Sequence, residues 1–190
     1  MEIFSRDEAR LNRELIFDEI RKGSLFIYPT DTIYGIGCNA LIDTAVQKLR
    51  KLKNNFTRPL SVIAPSKEWV KRNCELNKVS CEWLDKLPGP YTLILSLKSK
   101  SPVAGSTNLK TGRLGIRMPK HWFHNIIKDL DLPIITTSAN ITGNDFMTSL
   151  SDLDSRIKRG CSFMIDEGTI KGRPSTIVDL ASEVLSINDR

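Results

Sequence analysis

The chain has 190 residues, 40% hydrophobic and 26% charged, with a formal net charge of +6 and a pI near 9.2. That profile suits one globular domain large enough to bury a core, and it excludes a disordered or low-complexity chain. No apolar stretch nears the roughly 20 residues that cross a bilayer, and an N-terminus carrying Glu2, Asp7, Glu8 and Glu14 lacks the basic start and apolar core of a signal peptide, so the expected compartment is the cytoplasm.

Helical and strand-like periodicities alternate, the mark of an α/β layer fold. Ser5-Arg6-Asp7-Glu8 has the form of a capping box and opens a helix whose Leu11, Leu15, Ile16 and Ile20 would face a sheet, with Gly23 as its stop. A short buried strand over 25–28 is ended by Pro29, which has no N–H for a ladder. A helix over 43–53 turns Ala45, Val46, Leu49 and Leu52 inward, and a short strand spans 61–64. Helices near 66–73 and 78–87 lead to the Pro88-Gly89-Pro90 turn and the strand 91–97. A strand at 114–118, a helix near 120–130 and a strand at 133–137 follow. A helix near 150–159 and strands at 161–165, 175–180 and 184–187 finish the chain, and without any repeat or linker residues 1–190 read as a single domain.

Chemistry concentrates where strands end. In Tyr28-Pro29-Thr30-Asp31-Thr32-Ile33-Tyr34-Gly35, hydroxyls, a carboxylate and phenols cluster at the carboxyl end of a strand, where open α/β sheets bind ligands. Taken alone, the segment reads as well as an Asx- or Ser/Thr-turn. Pro133-Ile134-Ile135-Thr136-Thr137-Ser138-Ala139-Asn140 repeats the design, and Pro174-Ser175-Thr176 places a third hydroxyl pair at the start of a strand. In Leu114-Gly115-Ile116-Arg117-Met118-Pro119 one guanidinium interrupts an apolar run, and it either snorkels to the surface or reaches an anion. Gly35-Ile36-Gly37-Cys38-Asn39-Ala40 matches a loose dinucleotide fingerprint but has no acidic residue about 20 positions on, so it reads as a turn. Cys38, Cys74, Cys81 and Cys161 lack Cys-x-x-Cys spacing and are expected as free thiols. Cys38 has no histidine beside it, so a small buried residue is expected there and not a nucleophile. His121 and His124 share a probable helix face, too few ligands for a structural zinc.

Six segments together resemble the YrdC/Sua5 family, the threonylcarbamoyl-AMP synthases of tRNA modification. They are Pro29-Thr30-Asp31-Thr32-Ile33-Tyr34-Gly35; Lys53 with Pro59-Leu60; Pro88-Gly89-Pro90-Tyr91-Thr92; Gly115-Ile116-Arg117-Met118-Pro119; Thr137-Ser138-Ala139-Asn140 with Gly143; and Ser175-Thr176-Ile177-Val178-Asp179. They stand in the family's order from about Gly23 onward. The resemblance implies a twisted mixed β-sheet with packed helices, in the short single-domain form.

It also implies a reaction: L-threonine and bicarbonate form a carbamate whose carboxylate attacks the α-phosphate of ATP, giving threonylcarbamoyl-AMP and pyrophosphate. Such a transfer needs positioning and cations more than a protein nucleophile. By motif position Thr32, Arg117, Thr136 and Ser175 would hold threonine, with Arg117 forked onto its carboxylate, while Lys53, Ser138 and Asn140 would hold ATP. Lys53 and Arg117 are the expected catalytic cations, and Arg190 falls near a nucleotide-contacting arginine of the family. Mg²⁺ is expected to arrive with ATP, with no ligand assigned to the protein. Possible further partners are tRNA and a threonylcarbamoyltransferase.

The family pattern Lys-x-Arg is broken here by Asn55. Arg58 either replaces the missing guanidinium on the phosphates or is a solvated surface charge. Two alternatives to the synthase follow: a diverged YciO-like paralogue, and a basic RNA-binding module using the cluster Lys48, Arg50, Lys51, Lys53 and Arg58.

Overall fold

A computed structural model describes residues 1–98, 101–182 and 184–189. The chain runs through β1 (Glu2–Phe4), α1 (Arg6–Leu11), α2 (Arg13–Lys22), β2 (Phe26–Tyr28), β3 (Gly35–Gly37), α3 (Asp43–Lys53), β4 (Ser61–Ile63), α4 (Lys67–Asn73) and α5 (Lys78–Asp85). It continues through β5 (Tyr91–Ser96), α6 (Gly105–Asn108), β6 (Arg113–Arg117), α7 (Phe123–Leu130), β7 (Ile134–Ser138), α8 (Ser155–Gly160), β8 (Phe163–Ile165), β9 (Thr176–Asp179) and β10 (Ser186–Asn188). The strands join in one mixed sheet of order β1-β8-β2-β3-β7-β4-β6-β5-β9-β10. Parallel pairs, such as β4 with β6 and β5 with β9, alternate with antiparallel ones, such as β3 with β7 and β5 with β6.

Because side chains alternate along a strand, the short strands feed two cores. Phe26 and Tyr28 join Ile16, Phe17 and Ile20 of α2 and Phe123 and Ile127 of α7. Ile27 joins Val46 and Leu49 of α3 with Val62, Ile116 and Ile135. Stacked rings, Phe26 on Phe163 at 5.0 Å and Tyr28 on Phe123 at 4.7 Å, fix the first core.

Several expectations change. The first helix is two: Asn12 caps α1 with its amide donating to the Glu8 carbonyl, and Leu11 is left 86% exposed, outside the stripe formed by Ala9, Ile16, Phe17 and Ile20. Leu15 is exposed as well. The expected helix at 150–159 is a 3-10 turn (Leu150–Asp152) followed by α8, and α7 starts only at Phe123. The Gly-Ile-Gly segment is not a turn but β3, between β2 and β7. Its glycines hid it, since glycine is scarce in strands, yet a Cβ on Gly35 would strike the Tyr28 ring and one on Gly37 would overlap the Ile135 carbonyl. This close approach lets the 29–34 segment fold against the end of β7.

Candidate functional site

A cavity of about 270 Å³ opens where β6, β7 and the links around β3, β4 and β9 converge. Arg117, Thr136, Ser138, Asn140, Lys53, Arg58 and Ser175 all border it, so seven of the sequence-selected residues meet in one place. Thr92, Thr137, Thr142 and Phe146 border it too, and none of these had been given a role. Thr92 is the one with a sequence signal, since it closes the Pro88-Gly89-Pro90-Tyr91-Thr92 segment. Its Oγ1 lies 2.7 Å from Ser175 Oγ.

Arg117 is the last residue of β6 and 7% exposed. Its Nη2 donates to Asp31 Oδ1 at 3.0 Å and to Thr32 Oγ1 at 3.1 Å. Its Nε is buried without a partner. Burial pulls the guanidinium's pKa down while Asp31 pushes it back up, and arginine keeps its proton regardless. The choice between snorkelling and anion binding therefore falls against snorkelling. Thr32 does not border the cavity; it is bound to Arg117 and to Thr30, whose Oγ1 accepts the Thr32 and Ile33 N–H groups. Asp31 Oδ2 also accepts the Lys120 N–H at 2.8 Å, tying the 29–34 segment to the turn before α7.

At the other end Lys53, the last residue of α3, is 2% exposed. Its Nζ donates to Ser138 O at 2.5 Å, Asn140 O at 2.6 Å and Asn140 Oδ1 at 3.2 Å. An ammonium has three N–H donors, and all three are taken. Burial pushes its pKa down to about 8, so it is still charged at neutral pH. Ser138 Oγ donates to Asn140 Oδ1 at 2.6 Å, and Asn140 Nδ2 donates to Asn144 O. Lys53, Ser138 and Asn140 are thus one bonded group.

Arg58 is exposed and borders the cavity, and no hydrogen bond or ion pair engages its guanidinium among the described residues. The basic cluster proposed for RNA does not form one surface: Lys48 and Lys51 are exposed, whereas Arg50 and Lys53 are buried. Arg190 lies outside the described residues.

The loop before β9 packs against the 29–34 segment. Tyr34 OH accepts the Glu167 N–H and sits 2.9 Å from Asp166 Oδ1 and 2.8 Å from Gly168 O, so it anchors that loop; burial pushes the phenol's pKa up. Glu167 also meets His121 Nε2 at 2.8 Å and Trp122 Nε1. A Cβ on Gly172 would overlap the Thr32 carbonyl, so the loop needs glycine there. Asp31 and Tyr34 both orient loops. His124 is buried, its Nε2 3.0 Å from the Ala64 carbonyl, and Cys38 is a buried free thiol whose pKa burial pushes up. No three His, Cys, Asp or Glu side chains cluster among the described residues, and no helix among them is long and apolar enough to cross a membrane.

The profile of a family that groups Sua5, YciO and YrdC proteins, described as "Telomere recombination", matches residues 18–188. A Methanocaldococcus jannaschii protein is 33% identical over 190 residues, covering 97% of this chain and 88% of that protein. The threonylcarbamoyl-AMP synthase of Haemophilus influenzae is 30% identical over 187 residues, covering 92% of this chain and 98% of that one. Among solved structures, Pyrococcus abyssi Sua5 complexed with L-threonine matches with a TM-score of 0.83 at 27% identity. That match covers 98% of this chain and 56% of the Sua5 chain, so the present chain spans little more than half of it.

Proposed function

The chain belongs to the Sua5/YciO/YrdC family, and from that premise we propose that it condenses L-threonine, bicarbonate and ATP into threonylcarbamoyl-AMP and pyrophosphate. The product would serve a threonylcarbamoyltransferase that modifies adenosine in tRNA, in the cytoplasm. The observation that carries this reading is the asymmetry of one cavity: a buried guanidinium with an unmet donor at one end, and an unpaired guanidinium beside a bonded Lys-Ser-Asn group at the other.

Arg117 takes the threonine carboxylate through its remaining guanidinium N–H groups, while Asp31 and Thr32 hold Nη2 in place. Thr136 and the Thr92–Ser175 pair supply hydroxyls for the amino acid's polar groups. The threonine amine and bicarbonate join with loss of water, and the carbamate oxygen then bonds to the α-phosphorus as the bond to the pyrophosphate oxygen breaks. Arg58 and Lys53 offset the charge on the phosphates. No carboxylate among the described residues borders the cavity, so its side chains fit a Mg²⁺ brought by ATP rather than one held in a protein cage. When bound with ATP that ion would neutralise phosphate charge.

The test is mass spectrometry of products after mixing the protein with ATP, Mg²⁺, L-threonine and bicarbonate, leaving out one at a time. Threonylcarbamoyl-AMP that vanishes on every single omission is the expected result. Folded protein that binds threonine and yields no adduct would overturn the synthase reading and favour a YciO-like role.

A further inference from the structure

Arg50 was read from the sequence as one member of a basic cluster, yet it is 5% exposed and has no ion-pair partner among the described residues. Its donors go to four backbone carbonyls. Nε donates to Ser106 O at 2.6 Å, Nη2 to Thr107 O at 3.1 Å, and Nη1 to both Asn55 O and Arg58 O at 3.0 Å. Burial lowers its pKa. A guanidinium taken out of water without a carboxylate is costly unless its hydrogen bonds are met, so an arrangement of this kind calls for a reason.

The reason lies in what the four carbonyls belong to. Two come from α6 and two from the irregular turn that carries Arg58 to the cavity. That turn leaves α3 through Asn54, whose φ of 54° is left-handed, and exposes Phe56, so it has little packing of its own. It is held from inside: Asn55 N–H donates to Arg50 O at 2.9 Å, Asn55 Oδ1 accepts the Arg58 N–H at 3.1 Å, and Leu60 N–H donates to Thr107 O at 2.9 Å. Asn55, standing where the family pattern has arginine, is therefore 8% exposed and part of the turn's frame.

We infer that Arg50 is a positioning residue for the nucleotide end of the site, holding the 55–58 turn in the arc that points Arg58 at the phosphates. The inference rests on the proposal that this cavity binds ATP. Ordering the turn in advance spares the entropy of fixing it on binding, so the contribution shows in ATP affinity. Lysine at this position cannot replace it, because one ammonium cannot span four carbonyls set around a planar fork.

The test is a double-mutant cycle on the full chain, with MgATP and L-threonine affinities measured separately by calorimetry for the wild type, Arg50→Lys, Arg58→Ala and the double variant. Arg50→Lys is expected to weaken MgATP about tenfold, to leave L-threonine within about twofold, and to add nothing once Arg58 is gone. Weakening of both ligands together, or losses that add across the cycle, would mean a merely structural role and overturn the inference. Asn55→Ala, which removes only the acceptor of the Arg58 N–H, is expected to weaken MgATP about threefold and serves if Arg50→Lys does not fold. A wild type that binds MgATP but makes no adduct defeats the synthase reading and leaves the cycle to judge Arg50. An Arg58→Ala variant with unchanged ATP affinity defeats the role of Arg50 while adduct formation still stands.

Discussion

Arg117 and the Lys53–Arg50 pair are all buried cations at the ends of regular elements, but they spend their donors differently. Arg117 keeps Nε unmet and borders the cavity, with a carboxylate behind it to hold the fork in place. Lys53 and Arg50 give their donors to seven protein acceptors between them, and neither has a carboxylate partner among the described residues. An unmet donor on a cation that borders a hydroxyl-lined cavity leaves capacity for an anion, whereas a saturated cation is a brace. The Arg117 end is thus held in place before any ligand arrives. At the other end the cation whose guanidinium has no bond among the described residues is Arg58, and Lys53 holds the Ser138–Asn140 segment in shape.

The sharpest way to break this contrast is Arg117→Met. It removes the unmet donor and leaves Asp31 without its ion-pair partner, so L-threonine affinity should fall by about a hundredfold or more and stability by about 3 kcal/mol. Calorimetry with threonine and urea unfolding check the two parts. Retained threonine binding would show that the open donor is not the carboxylate site.

Lys53→Met should be milder for threonine, within about threefold, but should weaken MgATP about tenfold by loosening the Ser138–Asn140 segment. It also carries a pH signature. The folded chain releases the Lys53 proton near pH 8 and the unfolded chain holds it until about 10.5, so between those values the unfolded state binds more protons at this site and the Lys53 contribution to stability rises with pH. Below about 8 both states are protonated and the slope disappears. Urea unfolding across that window should show wild-type stability rising relative to that of Lys53→Met, since the buried thiols of Cys38, Cys74 and Cys161, whose pKa values burial raises, pull both chains down alike.

The smallest expected effect is that of Asp31→Asn. The amide oxygen still accepts one of the two bonds now made to Arg117 and Lys120, but the charge that steadies the guanidinium is gone, so L-threonine affinity should drop about three- to tenfold with MgATP unchanged. An equal loss for both ligands would mean that Asp31 supports the fold of the whole cavity and not the aim of Arg117.

Much of this was legible in the chain. The stripe Ala45, Val46, Leu49 placed α3 at its observed bounds, and the hydroxyl-rich strand ends at 29–35 and 136–140 do come together, side by side where Gly35 pairs with Ser138, beside the cavity that Arg117 also borders. What stayed hidden shares a cause. β3 was masked by two glycines that only the Tyr28 ring and the Ile135 carbonyl require. Arg50 looked like surface charge because its acceptors, the carbonyls at 55, 58, 106 and 107, carry no side-chain signature. The break at Asn12 turned on one amide finding the Glu8 carbonyl.

The sequence by itself determined the alternation of helices and strands, the polar strand ends and the family, because periodicity and side-chain type are local properties that survive without knowing what lies across the sheet. Tertiary structure alone decided which cations are open and which are spent. That depends on where backbone carbonyls converge in space, and a buried charge becomes brace or binding site according to whether its hydrogen bonds are already met.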